Sequence, residues 1–180
     1  MKIISGSLKG RTVKGHNIKG TRPTMDRVKE SIFSIIQNNI KDSICLDLFA
    51  GSGNLGIEAI SRGSKNVYFN DFDSEAIKTI KENLKAFNIE GNIIKNDYKK
   101  TLFYLSKEKI KFDIIFLDPP YALNVIDDIL NIIDSNDLLN TNGLIICEYD
   151  KATLKEEYND IKLKTTRKYG DTKVSIYQRL

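Results

Sequence analysis

Several residue types are scarce in this sequence of 180 residues, which has no tryptophan, one histidine, two cysteines and three prolines. Two cysteines and a lone histidine do not make a disulfide framework or a zinc cluster, so we expect a reduced protein without a metal. There is no run of about 20 apolar residues that could cross a bilayer, and no secretory pattern at the N-terminus. These absences favour a cytoplasmic protein without a membrane partner. We also expect a monomer, although no pattern in the sequence determines the oligomeric state.

Positive charge is concentrated near the N-terminus. Residues 1–41 carry nine lysines and arginines against Asp26 and Glu30, whereas the remaining residues carry a small negative excess, and the whole chain has a net charge of +4. A basic segment on a mildly acidic body is typical of proteins that bind a polyanion from one side. The alternative is a lysine-rich surface that is merely solvated, and charge alone does not separate the two.

The apolar pattern alternates between short buried strands and amphipathic helices. Strands are predicted at 44–49, 66–71, 93–97, 112–117 and 144–148. Helices are predicted at 24–39, 55–62, 74–90, 98–107 and 125–133. This alternation indicates an α/β fold with a mostly parallel, doubly wound sheet. Beyond Asp150 we expect a short charged helix and an antiparallel hairpin near 161–168 and 174–178, while residues 1–22 are predicted to form a small basic β extension.

A glycine-rich turn follows the first predicted strand. Gly51, Gly53 and Gly56 match the spacing of a dinucleotide-binding loop, in which glycine lets a ligand approach the backbone closely. This spacing alone does not distinguish a nicotinamide dinucleotide from another nucleotide-like cofactor. The run from Asp47 to Gly53, Asp-Leu-Phe-Ala-Gly-Ser-Gly, resembles the first motif of methyltransferases that use S-adenosylmethionine (SAM).

Aspartates lie at the carboxyl ends of the predicted strands around this turn. Open α/β sheets bind their ligands at this edge. Asp71 lies 20 residues after Gly51 and can accept hydrogen bonds from the ribose hydroxyls, with Asp73 as an alternative. Asp97 can accept from the adenine amino group, next to aromatic residues that flank the ring, and Asp47 can hold the cofactor's ammonium group. Each aspartate could instead cap a helix or turn. The predicted cofactor-binding residues are Asp47, Phe49, Gly51, Ser52, Gly53, Asp71, Phe72, Asp97 and Tyr98.

The tetrad Asp118-Pro119-Pro120-Tyr121 follows the fourth predicted strand. Two adjacent prolines donate no hydrogen bond to a sheet, so the strand stops here and the loop is rigid. Asp118 and the carbonyl of Pro119 can accept the two hydrogens of an exocyclic amine and orient its lone pair, while Tyr121 can stack on a flat base. These groups predict methyl transfer to an amine, with all four members of the tetrad as catalytic residues.

The tetrad is similar to the Asp/Asn-Pro-Pro-Tyr/Phe motif of amino-methyltransferases, and further motifs narrow the resemblance. Over nearly its whole length the chain resembles the RsmD family, which methylates N2 of the guanine numbered 966 in bacterial 16S rRNA. The resemblance rests on Lys9-Gly-Arg11, Thr21 to Val28, Asp47 to Gly56, Ser61-Arg-Gly63, Asp118 to Tyr121 and Tyr169 to Thr172. It implies a Rossmann-like methyltransferase domain over residues 23–180, SAM as cofactor, and 16S rRNA within an assembling small subunit as partner. Asn54 and Asn70 depart from the small or apolar residues that the resemblance leads us to expect.

Basic residues in and beside the N-terminal extension are predicted to hold RNA phosphates, and these are Lys9, Arg11, Arg22, Arg27 and Lys29. Arg22 and Thr24 could instead close over the methionine end of SAM. Three other functions stay open: a DNA adenine-N6 or other RNA amino-methyltransferase, an RNA-binding ribosome assembly factor with a vestigial pocket, and a NAD dehydrogenase. The dehydrogenase does not account for the Pro-Pro loop, and 180 residues leave no room for its substrate domain.

Overall fold

The computed structural model describes residues 1–15, 23–120 and 125–180, with the side chains of residues 23–25 left aside. The predicted contributions of Arg22, Thr24 and Tyr121 therefore lie outside the described backbone or side chains. Within the described ranges, no helix combines the length and the apolar character needed to cross a bilayer.

Six helices and seven strands are found in the described ranges. The helices are α1 (Pro23–Ile35), α2 (Gln37–Ile40), α3 (Asn54–Ser61), α4 (Ser74–Phe87), α5 (Tyr98–Lys107) and α6 (Ile126–Ser135). The strands are β1 (Ile44–Asp47), β2 (Asn66–Asp71), β3 (Asn92–Lys95), β4 (Phe112–Leu117), β5 (Leu139–Tyr149), β6 (Ile161–Tyr169) and β7 (Thr172–Arg179).

The strands form one sheet in the order β3-β2-β1-β4-β5-β7-β6. β1 to β5 run parallel, and β7 runs antiparallel to both β5 and β6. The prediction of a mostly parallel sheet with a C-terminal antiparallel hairpin is confirmed. The strand order reverses between β1 and β4, and the carboxyl ends of strands at such a switch point are where open α/β sheets bind ligands.

Helices on both faces of the sheet create two hydrophobic cores. α1, α3 and α4 cover one face, where Phe33, Phe69 and Phe116 are fully buried, and we call this the first core. α5 and α6 cover the other face, where Phe112 and Leu117 are buried in the second core. Successive strand residues enter opposite cores, which explains why the predicted parallel strands are continuous apolar runs.

The segment after Asp150 is not helical, so the predicted short helix is wrong. Its backbone amides find partners outside the segment: the N–H groups of Asn159 and Asp160 donate to the carboxylate of Asp134 at 2.8 and 3.2 Å. A bridge between Glu157 and Lys162 extends the same pairing toward the sheet. The backbone of this segment therefore forms tertiary hydrogen bonds in place of the intrahelical ones expected for a short charged helix.

Strand β5 is longer than predicted because the Asn142-Gly143 pair does not start it. Asn142 adopts φ +63° inside the strand, and the pairing with β4 shifts register between Phe112 and Ile114. The pair therefore forms an irregularity within a strand instead of an entry turn. At the first helix, the predicted end near residue 39 is replaced by a break at Ile36 and a separate short helix.

Residues 1–15 form a compact strap against α3. They contain a single antiparallel bridge, Lys2 to Thr12, and the amide of Ser7 donates to the Ser61 carbonyl at 2.8 Å. Gly6 has φ +86°, and a Cβ there would stand 1.7 Å from that carbonyl oxygen, so this close approach requires glycine. The strap's buried side chains in the first core are Ile3, Leu8 and Val13.

Candidate active site

A cavity of about 280 Å³ opens at the carboxyl ends of β1, β2, β4 and β5, near the lower end of the usual size of small-molecule sites. It brings together predicted cofactor-binding residues, namely Asp47, Phe49, Gly51, Ser52, Asp71 and Phe72. The predicted catalytic residues Asp118 and Pro120 line the same cavity. Sequence reasoning missed other lining residues, among them Met1, Lys29, Ile32, Asn54, Leu55 and Glu148.

The three glycines of the loop have different tasks. Gly51 and Gly53 have φ values of +54° and +80°, a conformation that other residues rarely adopt. A Cβ on Gly51 would meet no protein atom within 4 Å, so this residue leaves space at the cavity wall. A Cβ on Gly56 would stand 2.3 Å from the ring of Phe69, so the third glycine permits close packing of α3 against β2.

Asp71 holds the glycine loop in place at the end of β2. One carboxylate oxygen accepts from the Gly51 amide at 2.9 Å, and the other accepts from the Asp73 amide at 3.0 Å. Asp73 itself caps α4, where its side chain accepts from the Glu75 amide at 3.1 Å. Since Asp71 lines the cavity and Asp73 serves the helix, this geometry favours Asp71 as the ribose ligand.

Asp47 is a buried acid at the end of β1. Its side chain accepts from the Gly56 amide at 3.0 Å and is almost inaccessible to water. Burial raises the pKa of Asp47, the hydrogen bond from Gly56 opposes this effect, and the nearby carboxylate of Asp71 adds to it, so that the pKa stands at about 7. This side of the cavity therefore favours a positively charged ligand.

Asp97 and Tyr98 are placed beside the cavity. The Asp97 side chain caps α5 by accepting from the Lys99 amide at 2.9 Å. The Tyr98 ring packs on the ring of Phe49, which lines the cavity, with centroids 5.7 Å apart, and its hydroxyl donates to Asp128 at 3.3 Å. Contact of these two residues with adenine stays a prediction. The ring of Phe72 is 71% exposed at the rim and free to flank a planar group.

Asp118 follows β4 directly and faces a second acid that the sequence did not reveal. Burial raises the pKa of Asp118 well above its ordinary value, and the carboxylates of Glu148 and Asp47 raise it further. Pro119 is buried, whereas Pro120 is exposed and lines the cavity. The sequence did contain a signal for this second acid, because Glu148 interrupts the apolar run that forms β5. It lies near the end of β5, just as Asp118 lies directly after the end of β4.

The predicted RNA-binding residues have unequal surroundings. Lys9 and Arg27 are exposed. Arg11 is partly engaged in the fold, because its guanidinium donates to the Ala86 carbonyl at 2.7 Å and lies 4.5 Å from the centre of the Phe87 ring. It therefore helps to fasten the strap to the end of α4.

Lys29 corrects one expectation. Its side chain is buried, and the ammonium donates to the Lys2 carbonyl at 2.6 Å and to the Asn54 side chain at 3.0 Å. It also lies 3.2 Å from the carboxylate of Glu58, which accepts the amide of Ile4 at 2.8 Å. Lys29 joins the strap, α1 and α3, and it is not available to an RNA phosphate because it is buried and paired with Glu58. The amphipathic pattern of α1 gave no sign of this buried ion pair.

The two unexpected asparagines also have structural partners. Asn54 accepts the Lys29 hydrogen bond described above. Asn70 donates to the Leu48 carbonyl at 2.9 Å and accepts from the Thr101 hydroxyl at 2.6 Å, which ties β1, β2 and α5 together beneath the cavity. These departures therefore support the site instead of disrupting it.

Comparisons with known proteins agree with this architecture. The profile of the family described as Conserved hypothetical protein 95 matches residues 1–178. The chain is 42% identical to YlbH of Bacillus subtilis over 182 residues, which covers 99% of both chains. It is 35% identical to Ribosomal RNA small subunit methyltransferase D of Haemophilus influenzae over 183 residues, covering 99% of this chain and 93% of that one.

Solved structures show the same fold. The yhhF protein of Escherichia coli matches with a TM-score of 0.88 at 28% identity, covering 99% of this chain and 97% of that one. The 16S rRNA N2 G1207 methyltransferase of Thermus thermophilus, solved with AdoMet and guanosine, matches with a TM-score of 0.71 at 18% identity, covering 96% of this chain and 46% of that one. The predicted Rossmann-like fold of SAM-dependent methyltransferases is confirmed. With its strap, glycine loop and Asp-Pro-Pro corner covered by one family profile, the chain belongs to the RsmD family.

Proposed function

We propose that this protein transfers a methyl group from SAM to the exocyclic N2 amine of a guanine in small-subunit 16S rRNA. The observation that carries the proposal is one cavity lined by the glycine loop, Asp71, Asp118 and Pro120. The relative from Haemophilus influenzae bears the name of a small-subunit rRNA methyltransferase, which supports the choice of substrate. We further propose a monomer that acts on the assembling subunit.

The residues of the cavity fit SAM. When bound, SAM supplies a methyl group that its sulfonium centre already activates, together with a positively charged ammonium group. Asp47 and Asp71 make the β1–β2 side of the cavity acidic, which suits a cationic ligand. Gly51 leaves room at the wall where a Cβ would intrude, and the exposed ring of Phe72 is placed to cover a planar group.

The Asp-Pro-Pro corner then has to hold the amine. In the proposed mechanism Asp118 and the Pro119 carbonyl accept the two amine hydrogens, so that the nitrogen lone pair points into the cavity. The negative charge of Asp118 stabilises the positive charge that develops on the nitrogen. A cation in the cavity lowers the pKa of Asp118, which keeps the carboxylate ionised for this task. The proton that the amine loses can pass through Asp118 to water.

The RNA must present an unpaired base. Swinging a guanine out of its stack costs a few kcal/mol, and stacking on Tyr121 is predicted to offset part of that cost. Lys9, Arg22 and Arg27 are proposed to hold backbone phosphates, which positions the RNA without reading its sequence. Arg11 contributes less than expected, because its guanidinium is partly used by the fold.

The test is to incubate the purified protein with SAM and 16S rRNA, either free or in small-subunit particles, and to map the modified nucleotide by mass spectrometry. We expect methylation at one guanine N2, with a preference for the particles. A product at adenine N6, or methylation of duplex DNA instead of rRNA, would identify a different amino-methyltransferase. No binding of SAM by calorimetry would favour an assembly factor with a vestigial pocket. The dehydrogenase alternative is not retained, because the chain belongs to a family with a methyltransferase fold.

A further inference from the structure

The turn between β6 and β7 lies at the same edge of the sheet as the catalytic corner. β7 runs antiparallel to β5, so the start of β7 stands beside the end of β5. The register pairs Glu148 with Val174 and Val174 with Arg167. Leu117 pairs with Cys147, so the next residue, Asp118, lies beside Glu148. Asp118, Glu148, Val174 and Arg167 therefore form one row across the sheet. Three strand spacings separate β4 from β6, which places Arg167 roughly 14 Å from Asp118 across the sheet.

Strand alternation puts this row on the face of the first core. Phe116, Ile146 and Val174 are all buried in that core, and residues two apart on a strand share a face. Arg167 pairs with Val174 and is therefore on this face, where it is exposed at the edge of the sheet. The row therefore connects Asp118 of the catalytic corner with Arg167 at the edge of the sheet.

Contact with α1 anchors the turn. Tyr169 packs against the first core, and its hydroxyl is hydrogen-bonded to the Ser31 hydroxyl of α1. Arg27 stands one helical turn before Ser31 and is exposed, so it belongs to the same surface. α1 also contributes Lys29 and Ile32 to the cavity wall. The β6–β7 turn is therefore held against the helix that borders the proposed active site.

The hairpin is strongly basic, and its two ends differ. Residues 161–179 carry six lysines and arginines against one acid, Asp171. At the base, Lys162 pairs with Glu157 at 2.9 Å and Arg179 pairs with Asp160 at 3.3 Å. At the tip, Arg167 and Lys168 form no ion pair with any residue in the described ranges, and both are exposed. Asp171 lies in the turn between the two strands, but Arg167, Lys168 and Lys173 outnumber it, so the tip keeps a net positive charge next to the catalytic edge.

Two lysines at the tip also face each other. Lys168 pairs with Lys173 across the hairpin, on the face of the sheet opposite to Arg167, and this arrangement of like charges destabilises an isolated hairpin. The ammonium of Lys173 lies 5.7 Å from the centre of the Tyr149 ring, beside the end of β5. A bound anion would relieve this repulsion, whereas a neutral partner would not.

We propose that Arg167, Lys168 and Lys173, here called the hairpin tip, bind backbone phosphates of the RNA that flanks the target base. The inference rests on the proposed function and adds a second contact region to the N-terminal one. Arginine offers a planar fork and lysine a point charge, and both are common ligands of phosphate. Arg167 would act together with Arg27 on the face of the first core, while Lys168 and Lys173 would hold phosphate on the opposite face of the same edge, on the β5 side of the catalytic corner.

The test compares two double variants of the full chain for binding to a 16S rRNA fragment, by filter binding at several salt concentrations with S-adenosylhomocysteine present. Arg167→Ala with Lys168→Ala should weaken binding roughly tenfold at low salt and reduce the salt slope by about 1 to 2. The matched control, Lys162→Ala with Lys164→Ala, removes the same charge from the base of the same strand and should change affinity by less than about twofold. Arg167→Lys with Lys168→Arg keeps the charge and should bind like the wild type.

An unchanged affinity and salt slope in the tip variant would overturn the inference. An equal loss in tip and base variants would also overturn it, because net charge and not position would then explain binding. A defect seen with subunit particles but not with bare RNA would assign the tip to a protein partner instead. Failure of the wild-type protein to methylate rRNA would instead count against the proposed function, so the two failures are distinguishable.

Discussion

The acidic side chains in the two halves of the cavity have different surroundings. On the β1–β2 side, Asp47 and Asp71 each accept hydrogen bonds from backbone amides of the glycine loop or its neighbours. On the β4–β5 side, Asp118 lies near Glu148, and burial together with this second carboxylate raises its pKa. The proposed cofactor half is therefore held by hydrogen bonds of the fold itself. In the proposed catalytic half, a hydrogen-bond donor or a positive charge from a ligand would stabilise the ionised carboxylate of Asp118.

Replacing Asp118 should separate the two halves most sharply. We expect Asp118→Asn to lower kcat by about 10²- to 10³-fold, because a neutral amide no longer stabilises positive charge on the amine. Affinity for S-adenosylhomocysteine, measured by calorimetry, should stay within about threefold of the wild type. A large loss of cofactor affinity with little loss of kcat would show that Asp118 belongs to the cofactor half.

Replacing Asp71 should have the complementary effect. Asp71→Asn weakens the charged hydrogen bonds to the glycine loop, and we expect roughly a 10- to 100-fold loss of cofactor affinity. Asp73→Ala is the matched control: it removes the helix cap, costs about 1 kcal/mol of stability and should leave the affinity nearly unchanged. If Asp73→Ala costs more affinity than Asp71→Asn, the ribose ligand has been assigned to the wrong aspartate.

The buried acid Asp47 predicts a smaller effect that depends on pH. Because its pKa is raised to about 7 in the folded protein, the folded state binds the proton more tightly than the unfolded state. Stability without cofactor should then fall as pH rises from about 4 to about 7. Asp47→Asn, which can still accept the Gly56 hydrogen bond, should remove this dependence, which amounts to about 2 to 3 kcal/mol between pH 5 and pH 7.5. Urea unfolding at pH 5 and pH 7.5 would measure it, and equal slopes in both proteins would refute it.

The sequence predicted the parts of the site that are built from consecutive residues. The glycine loop, Asp71 and the Asp-Pro-Pro corner were found because each is a local pattern at the end of an apolar run. The sequence marked Glu148 only as a glutamate in an apolar run, because its importance depends on β5 lying next to β4. It also misplaced Lys29, which sits on a helix with an ordinary amphipathic stripe and yet pairs with a glutamate from α3.

The same distinction applies to the secondary structure. The alternation of strands and helices could be predicted because the spacing of apolar residues and the length of each apolar run are local properties. The hairpin of β6 and β7 was predicted in the same way. The segment after Asp150 was misjudged because its amides bond to Asp134, which lies on another element. The break at Ile36 and the irregularity at Asn142 likewise depend on packing and pairing with distant strands.

By itself, the sequence determined the alternation of strands and helices between β1 and β5. It also determined the glycine turn and the rigid corner, since backbone freedom at glycine and its loss at proline are properties of single residues. Tertiary structure alone decided which charges meet. It placed Asp118 beside Glu148, buried Lys29 against Glu58, and carried Arg167 to the catalytic edge while the other end of the hairpin was neutralised. The reason is that electrostatic energies depend on distance and burial, and residues far apart in the chain acquire both only on folding.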